Sequence, residues 1–465
     1  MSISRAGLAS MKPLVGALAL AFGTVGAQAQ SLSEVVQAAR GVDATYLGAR
    51  STADAAHWRY EQARAAHLPT ANLQVQAGRQ TSTQPTVIGV ANASDPTKID
   101  EVPTSEKTST NSVGATVNAQ QTIYNRQNDL QIDQARKSEE FAQSQLAQAD
   151  QDLIVRVAQA YFNVLTAADA VQFAQGNTKA IGEQLASARR NFEVGNATIT
   201  DTREAEARAD IAHSQQIAAE NDLVVAKVTL DQLVGRNGVM PHPLVLPATL
   251  PPVMPSQASD WVALAEADNP SLKQAHLNLE VAELETSRRK AGNLPTLVAG
   301  ASYGRNRQRD SFSPGGGTFA GTGGSTNVGL TLTVPLFTGF LIQNQVREGV
   351  ALEEKARTDA DGAHNQVVLG TRTAFVTAMT QAAQVKALEA SVASSKLALD
   401  ATQLGYKVGV KVNLDVLNAQ SQLFSTERDA SGARYNYLLS QLKLRQVAGN
   451  LTNNDLLPID ALLTK

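Results

Sequence analysis

Residues able to do chemistry are few in this 465-residue chain, and their spacing does not assemble a catalytic or metal site. The acidic pairs Glu139-Glu140 and Glu353-Glu354 are typical of solvated helix faces rather than of acid–base pairs. The stretch Gly315-Gly316-Gly317 lacks the Lys-Ser/Thr pair that follows a phosphate-binding loop. The histidines lie far apart, at positions 57, 67, 213, 242, 276 and 364. We therefore expect no catalytic residues, no bound metal, no cofactor and no enzymatic activity.

Composition sets the broad class of the protein. The chain has no cysteine, which excludes disulfides, thiolate metal sites and an N-terminal lipid anchor. A net charge of −3 gives no field that would favour nucleic acid. After Gln30 no apolar run is long enough to cross a bilayer as a helix. A β-barrel in an outer membrane stays open as an alternative, because its strands alternate rather than run continuously apolar.

The N-terminus has the pattern of a secretory signal peptide. Arg5 and Lys12 give a basic start, and the stretch 14–25 is apolar with only small interruptions. Ala27-Gln28-Ala29 then forms a small-x-small cleavage site ahead of Gln30. We expect residues 1–29 to be a signal peptide that is removed on export.

The prolines divide the mature chain. None occurs between Pro103 and Pro241, and none occurs between Pro335 and Pro458. Proline is poorly tolerated inside helices, so these two tracts are predicted to be helical. Six prolines crowd into residues 241–255, which predicts a stiff, extended linker over 241–257.

The stretches on either side of this linker match each other in the same order, which indicates an internal duplication. "HLPT" at 67–70 corresponds to "NLPT" at 293–296, and "VGAT" at 113–116 corresponds to "VGLT" at 328–331. The first copy is predicted to span residues 30–240 and the second 258–450, followed by a C-terminal tail at 451–465.

Each copy contains two segments that alternate apolar and polar residues with the period of a strand. The predicted strands cover about 70–82 and 112–123 in the first copy, and about 296–305 and 326–337 in the second. Long polar loops are expected between the members of each pair. A soluble sandwich would also alternate, but the sequence offers no second sheet to cover the apolar face. Four strands cannot close a barrel and an open sheet edge cannot sit in lipid, so several chains would share one barrel, and three would supply twelve strands.

Helices account for the rest of each copy. A helical segment opens each copy (32–66 and 261–291), and a long helix–turn–helix ends it (128–235 and 341–449). Gly195 and Gly409 mark the two turns. Apolar residues three and four apart, together with small residues on more than one stripe, favour packing on both sides of each helix. A tube of helices needs such packing.

These motifs together resemble the TolC family of outer-membrane efflux and type I secretion channels. The similarity runs through "RAAHLPTANLQ", "AYFNVL", "NFEVGNATITD", "VGLTLTVPLFTGF", "GYKVG", "LDVLNAQ" and "ARYNYLLSQLKL", which span nearly the whole mature chain. The resemblance implies an α+β membrane protein that forms a homotrimer in the outer membrane. Three chains would share a twelve-stranded β-barrel, continued by an α-helical barrel in the periplasm.

The resemblance also implies a function and partners. The family forms a passive exit duct that contacts outer-membrane lipid and is opened by a periplasmic adaptor (membrane fusion) protein and an inner-membrane ABC, RND or similar pump. The duct would belong to a tripartite efflux pump or to a type I protein secretion system, and the sequence does not decide between these cargoes. The alternative is a periplasmic coiled-coil adaptor or a trimeric stalk.

Particular residues inherit roles from the same resemblance. The hairpin tips at Val194, Gly195, Val408 and Gly409 match the positions that contact the adaptor. Links between helices that hold the periplasmic gate shut map to Asp201, Tyr406 and Lys411, and an acidic ring maps to Asp415. One turn later this chain has Asn418 where relatives carry a second acidic residue. Because Lys411 also replaces a bidentate arginine, we expect a weaker ring and a looser closed state.

Overall fold

A computed structural model of the chain describes residues 30–195, 197–245, 250–313 and 317–463. The predicted signal peptide lies outside the described residues. Two rounds of the same element order follow each other: two helices, two strands, a very long helix and a shorter helix. The elements are α1 (Leu32–Arg40), α2 (Ala44–Arg64), β1 (Thr70–Asn92), β2 (Asp95–Tyr124), α3 (Arg126–Glu193), α4 (Ile199–Val234), α5 (Ala258–Asp268), α6 (Pro270–Lys290), β3 (Thr296–Ser313), β4 (Thr318–Thr333), α7 (Leu341–Lys407), α8 (Asn413–Val447) and α9 (Leu457–Asp460).

The long helices lie where the proline-free tracts predict them. α3 has 68 residues and α7 has 67, so each extends for roughly 100 Å at 1.5 Å per residue. α4 and α8 return alongside them, which makes two antiparallel helical hairpins, α3–α4 and α7–α8. α3 also packs against α8, so the two hairpins lie side by side. Among the described residues, no helix combines the length and the apolarity needed to cross a membrane.

The opening segment of each copy was predicted as one helical stretch, and this is wrong in the same place in both copies. In the first copy the chain turns at 41–43, where the Asp43 carboxylate accepts the Tyr46 N–H at 2.8 Å and starts α2. In the second copy the Asn269 side chain accepts the Leu272 N–H at 3.0 Å, with Pro270 at the first helical position. Side-chain caps of this kind begin a new helix rather than continue an old one.

All four strands form one antiparallel sheet in the order β1-β2-β3-β4. The register places Leu73 opposite Val117, Val117 opposite Tyr303, and Leu297 opposite Leu332. The predicted apolar residues of all four strands therefore share one side of the sheet, called here the outer face. Their side chains are exposed, with Val328 at 81% and Leu330 at 71%. The opposite side is small and polar, and β1 and β4 are free edges.

The long polar loops predicted between paired strands are largely strand. β1 and β2 were expected to stop near 82 and start near 112, but they remain paired to a tight turn at Ala93 and Ser94. β3 likewise reaches Ser313 and β4 begins at Thr318. The missed segments are rich in Thr and Ser, and their few apolar residues fall on both faces, so they lack the one-sided apolar alternation that marks a half-buried strand. β4 also ends at Thr333 rather than near 337, because Pro335 cannot donate to a ladder.

The main apolar core lies midway along α3, where the first and last described segments of the chain meet. α1, α3, α4, α8 and the C-terminal tail contribute to it, and Leu32, Leu153 and Leu438 are fully buried. The Asp460 carboxylate in α9 accepts the backbone N–H groups of Leu32 and Ser33. The tail thereby caps the first helix of the chain.

Tyr161 ties the N-terminal segment to the linker within this core. Its ring is fully buried, and its hydroxyl accepts the His242 N–H at 2.8 Å and donates to the Gln30 carbonyl at 3.0 Å. Burial raises the pKa of the Tyr161 hydroxyl, so the phenol remains neutral and can keep both roles.

Replacing Tyr161 by Phe should loosen this junction. The His242 N–H and the Gln30 carbonyl would each lose the phenol as a partner, but that N–H still donates to that carbonyl at 3.3 Å, so the net cost is about 0.5–1.5 kcal/mol. We expect the His242 amide to exchange its hydrogen roughly 2- to 10-fold faster in the Tyr161→Phe variant. Tyr60→Phe is the matched control, because the ring of Tyr60 meets the Arg64 guanidinium through its face. Equal exchange rates in the Tyr161→Phe variant and the wild type would contradict this role.

Candidate functional site: the helix-hairpin tips

The α3–α4 tip turns at Gly195, which has a φ of +80°. α3 ends at Glu193, and the Gly195 N–H donates to the Phe192 carbonyl at 2.9 Å. A φ in the left-handed region strains residues with a Cβ, so glycine is the residue that this turn favours.

The α7–α8 tip repeats this geometry. Gly409 has the same φ of +80°, and its N–H donates to the Tyr406 carbonyl at 3.1 Å. The following N–H groups of Val410 and Lys411 both donate to the Gly405 carbonyl. The backbone therefore reverses in the same way at equivalent positions of the two copies.

The two tips differ at the helix that follows the turn. In the first copy, the Thr198 hydroxyl accepts the Asp201 N–H, and the Asp201 carboxylate accepts the Thr198 N–H at 3.0 Å and the Thr198 hydroxyl at 2.8 Å. This reciprocal arrangement is a capping box. In the second copy, Val412 stands where Thr198 stands and has no hydroxyl. The side-chain part of the cap at α8 is therefore a single 3.4 Å contact between the Val412 N–H and the Asp415 carboxylate, beside a backbone hydrogen bond from the Asp415 N–H to the Val412 carbonyl at 3.1 Å.

Asn413 adds a second weakness to the α8 terminus. Its side chain is 95% buried, since only 5% of its surface is accessible. Neither its Oδ1 nor its Nδ2 has a hydrogen-bond partner among the described residues. The equivalent residue of the first copy is Ile199, which is half exposed and has no polar side-chain atom to satisfy. Leaving a buried amide unpaired costs about 1–3 kcal/mol.

Ion pairs strengthen the α3–α4 hairpin instead. The Glu206 carboxylate on α4 accepts a hydrogen bond from Arg189 on α3 at 2.7 Å and one from Arg203 at 2.8 Å. The hydrogen bond from Arg189, followed by that from Arg203, lowers the pKa of Glu206. All three side chains are at least one-third exposed, so this contribution is screened by salt.

Near the tips, two polar contacts and a buried leucine help to join the two hairpins of one chain. The Asn191 side-chain amide donates to the Tyr406 hydroxyl at 3.3 Å, and the Arg208 guanidinium donates to the Asn418 carbonyl oxygen at 3.1 Å. Leu417 on α8 is fully buried among α3 and α4 residues. These contacts hold the α7–α8 hairpin against the α3–α4 hairpin.

The residues predicted to form a gate thus fall into separate contacts. Asp201 is bound within its own cap, and the Lys411 ammonium lies 3.6 Å from the Asp415 carboxylate of the same tip. In the part of the chain that the structure describes, no hydrogen bond or ion pair joins Asp201 to Tyr406 or Lys411. Any link between those residues would connect different chains, and that role stays a prediction. Asn191, Arg208 and Asn413 were not predicted, because each depends on a partner or a burial that sequence spacing does not reveal.

The extreme tips present apolar side chains to solvent. Val194 is 68% exposed, Val408 is 66% exposed and Val410 is 78% exposed. No cluster of three or more His, Cys, Asp or Glu suited to a metal lies within the described ranges. The groups that the tips expose are therefore suited to apolar contact with the surface of another protein.

Comparison with known proteins gives this fold a context. The family model described as "Outer membrane efflux protein" matches residues 29–236 and 261–450. Outer membrane protein TolC of Vibrio cholerae is 30% identical over 435 residues, which cover 93% of this chain and 94% of that protein. Alkaline protease secretion protein AprF of Pseudomonas aeruginosa is 33% identical over 333 residues, which cover 70% of this chain and 66% of that protein.

A solved structure agrees with the sequence matches. The outer membrane protein VceC from Vibrio cholerae superposes with a TM-score of 0.69 at 17% sequence identity, covering 90% of this chain and 96% of that chain. A likeness at this identity concerns the fold, namely a four-stranded sheet continued by long helical hairpins.

Substitutions at Gly409 test the geometry of the second tip. Gly409→Ala places a Cβ in the left-handed region at a cost of roughly 1–2 kcal/mol, whereas Asn tolerates that region better. We expect faster hydrogen exchange at the Val410 and Lys411 amides in Gly409→Ala and a smaller change in Gly409→Asn. The space around this position is open, so a clash would not explain a difference. Equal effects of Ala and Asn would rule out backbone strain as the cause.

Proposed function

The chain belongs to the outer membrane efflux protein family and forms an outer-membrane exit duct for efflux or type I secretion, and we propose that its α7–α8 hairpin is the moving part of a gate at the periplasmic end. Asp201, Tyr406, Lys411, Asp415 and Asn418 surround that gate. Cargo passes through without chemical change, so the protein needs no cofactor and performs no catalysis.

The exposed apolar outer face of the sheet carries the membrane assignment. Between Leu297 and Tyr303 it forms a band of roughly 20 Å along the strand, or about 15 Å in height at a strand tilt of about 40°, which lies within the roughly 25 Å apolar belt of outer-membrane barrels. Arg305 and Arg307 follow on the same face, where their side chains would reach lipid headgroups. Below the band, Phe337 and Phe340 are exposed and pack edge to face. Aromatic residues are enriched at such boundaries.

Pairing between chains then completes the wall. β1 and β4 each present an unpaired row of N–H and C=O groups, which lipid cannot satisfy. In a homotrimer, β4 of each copy pairs with β1 of the next, and twelve strands close. The six helical hairpins below line a tunnel through the periplasm.

The apolar hairpin tips support contact with a periplasmic adaptor protein. Val194 and Gly195 of the first tip, together with Val408 and Gly409 of the second, form the periplasmic extremity of each chain. Apolar side chains this exposed at a helix turn suit helix tips of another protein. That adaptor would couple the duct to an inner-membrane ABC, RND or similar pump, which supplies the energy.

The difference between the tips supports movement of α7–α8 rather than α3–α4. The α3–α4 tip has a capping box and the Arg189–Glu206 ion pair, while the α7–α8 tip lacks a side-chain cap and buries the unpaired amide of Asn413. Moving the tip of α7–α8 away would hydrate that amide, break the Asn191–Tyr406 and Arg208–Asn418 contacts and uncover Leu417. The contacts of Ser431 and Tyr435 with Asp169 lie farther from the tip and can hold the rest of α8 against α3. Elements that move in gating are drawn from the less stable parts of a fold.

The alternatives differ in how well they fit. A periplasmic adaptor would carry one helical hairpin and a trimeric stalk would carry uninterrupted helices, whereas this chain has two hairpins and paired strands.

Small molecules and secreted proteins both suit the duct as cargo. Deleting the gene, then measuring drug susceptibility and the exported proteins, separates the two cargoes. A strain that is unchanged in both measurements would contradict the exit-duct function.

Two asparagine-to-leucine substitutions test the gate, because leucine has nearly the shape of asparagine. Asn413→Leu removes the buried unpaired amide and should stabilise the closed state, lowering the open probability by about tenfold. Asn418→Leu removes the acceptor of Arg208 and should raise the open probability several-fold. Single-channel recording of purified trimers in planar bilayers measures both. The proposal fails if the two variants shift opening in the same direction.

Asp415→Ala tests the acidic ring. Three Asp415 carboxylates around the constriction would attract cations, so their removal should reduce cation selectivity and block by divalent ions. Asp361→Ala is the matched control, since it removes the same charge from an exposed position of α7 far from the tip. Unchanged selectivity and divalent-ion block in Asp415→Ala would remove the ring assignment.

A further inference from the structure

The β1–β2 hairpin extends well beyond the rest of the sheet. β3 pairs with β2 only as far as Lys107 opposite Ser313, and the β1 residue opposite Lys107 is Thr83. From Gln84 to Glu106 the two strands therefore continue as a ribbon with no further strand on either side among the described residues. This segment is called the ribbon below. Its nine β1 residues reach about 30 Å beyond the end of β3 at 3.4 Å per residue.

The two faces of the ribbon continue the two faces of the sheet. Residues of β1 with odd numbers, such as Leu73 and Val75, belong to the outer face, and the register is unbroken as far as Val90. The even-numbered residues therefore continue the opposite side, which faces the lumen in a closed barrel. From Asn72 to Thr86 every even-numbered residue of β1 is polar or glycine.

An apolar patch interrupts this polar surface near the end of the ribbon. Ile88 and Val90 follow on β1, and Val102 lies directly opposite Ile88 on β2. These three residues are called the lumen-face patch. They are 45%, 45% and 43% exposed, respectively. Beyond them, Asp100 lies opposite Val90 and accepts a hydrogen bond from the Asn92 amide at 2.9 Å.

A two-stranded ribbon alone is marginally stable in water, and exposed apolar residues at its tip add to that cost. Both faces of the ribbon expose apolar side chains, since Val87 and Ile99 on the outer face are 56% and 71% exposed. The lumen-face patch differs in its position, because it faces the axis of the barrel, toward the ribbons of the other two copies. Its natural cover is another ribbon, because the strands beneath it belong to one barrel built from three copies.

We propose that the three ribbons of the trimer lean together over the barrel and that their lumen-face patches join into an apolar closure at the extracellular mouth. This inference rests on the three-copy barrel of the proposed function. The partner of each patch is the same patch of two further copies of this chain. Apolar constrictions of this kind exclude water and ions until the surrounding elements separate.

The dimensions allow this contact. A twelve-stranded barrel tilted by about 40° has a backbone diameter of roughly 24 Å, so each ribbon must reach about 12 Å to the axis. Ile88 and Val90 lie about 17–24 Å along the ribbon, so their backbone reaches the axis with an inward lean of roughly 30–45°, and with less once the length of the side chains is counted.

The edges of the ribbon favour contact through faces rather than through added strands. Pro85 on β1 and Pro103 on β2 have no backbone N–H to offer a further strand. Prolines and charged residues are how natural edges avoid pairing with other chains. The side chains of the lumen-face patch are therefore the groups through which the ribbons meet.

Cysteine chemistry tests the closure directly, since the chain contains no cysteine of its own. Ile88→Cys places a thiol in the patch, and Val87→Cys places one on the outer face of the same strand. In outer-membrane vesicles carrying the full chain, we expect a short bis-maleimide to link Ile88→Cys chains in pairs and to leave Val87→Cys chains unlinked. Labelling by a bulky impermeant maleimide should be at least about tenfold slower for Ile88→Cys than for Val87→Cys, because the buried patch must open first. Val102→Cys should behave like Ile88→Cys and replaces it if that variant does not assemble.

The possible failures are distinguishable. If unmodified chains do not migrate as heat-modifiable trimers, the proposed function fails and this inference fails with it. If trimers form but Ile88→Cys and Val102→Cys label as fast as Val87→Cys without cross-links, the ribbons stand apart and the closure alone is wrong. Rapid labelling of the Ile88→Cys and Val102→Cys thiols that slows only when a cell-surface molecule is added would also contradict the closure. The patch would then be a docking surface for that molecule.

Discussion

The need to pair every backbone polar group inside lipid governs the architecture of this protein. The sheet has two unpaired edges, β1 and β4, and an exposed apolar outer face, so a single chain is incomplete in a membrane. Closing the wall requires copies of the chain, and their number then sets how many helical hairpins stand beneath the barrel. The duplication gives each chain two strand pairs and two hairpins. The number of chains that closes the barrel therefore also sets the number of helices around the tube. The helices themselves are held together by ordinary apolar packing.

Duplication alone would make the two hairpins equivalent, and the proposed movement of one of them rests on the differences between the copies. Most of each hairpin keeps the same form, including the glycine reversals with a φ of +80°. The divergence that matters lies within two residues: Thr198 and Ile199 in the first copy correspond to Val412 and Asn413 in the second. These changes remove a helix cap and bury an unpaired amide at the α8 terminus. A closed gate that is locally less stable needs less external work to open.

Much of the fold could be predicted from the sequence, because its signals are local. Proline-free tracts and glycine turns located the helices within a few residues, and period-two alternation placed Leu73, Val117 and Leu332 on one face. The ribbon was missed because a strand in water need not bury one face, and its few apolar residues, such as Val87 and Ile88, fall on both faces and leave no period-two signal. The partners of Tyr406 and Asn418 were missed because Asn191 and Arg208 lie more than two hundred residues away in sequence. Only the packing of the two hairpins brings them together.

Counting the chains that close the barrel tests the central claim most directly. Double-cysteine variants would pair Gln74 on β1 with Asn327, Gly329, Thr331 or Thr333 on β4, all on the lumen side of the sheet. Cross-linking in outer-membrane vesicles should give, for the position in register, denatured species of one, two and three chains and none larger. A ladder that ends at two chains, or one that continues beyond three, would contradict a shared barrel built from three copies.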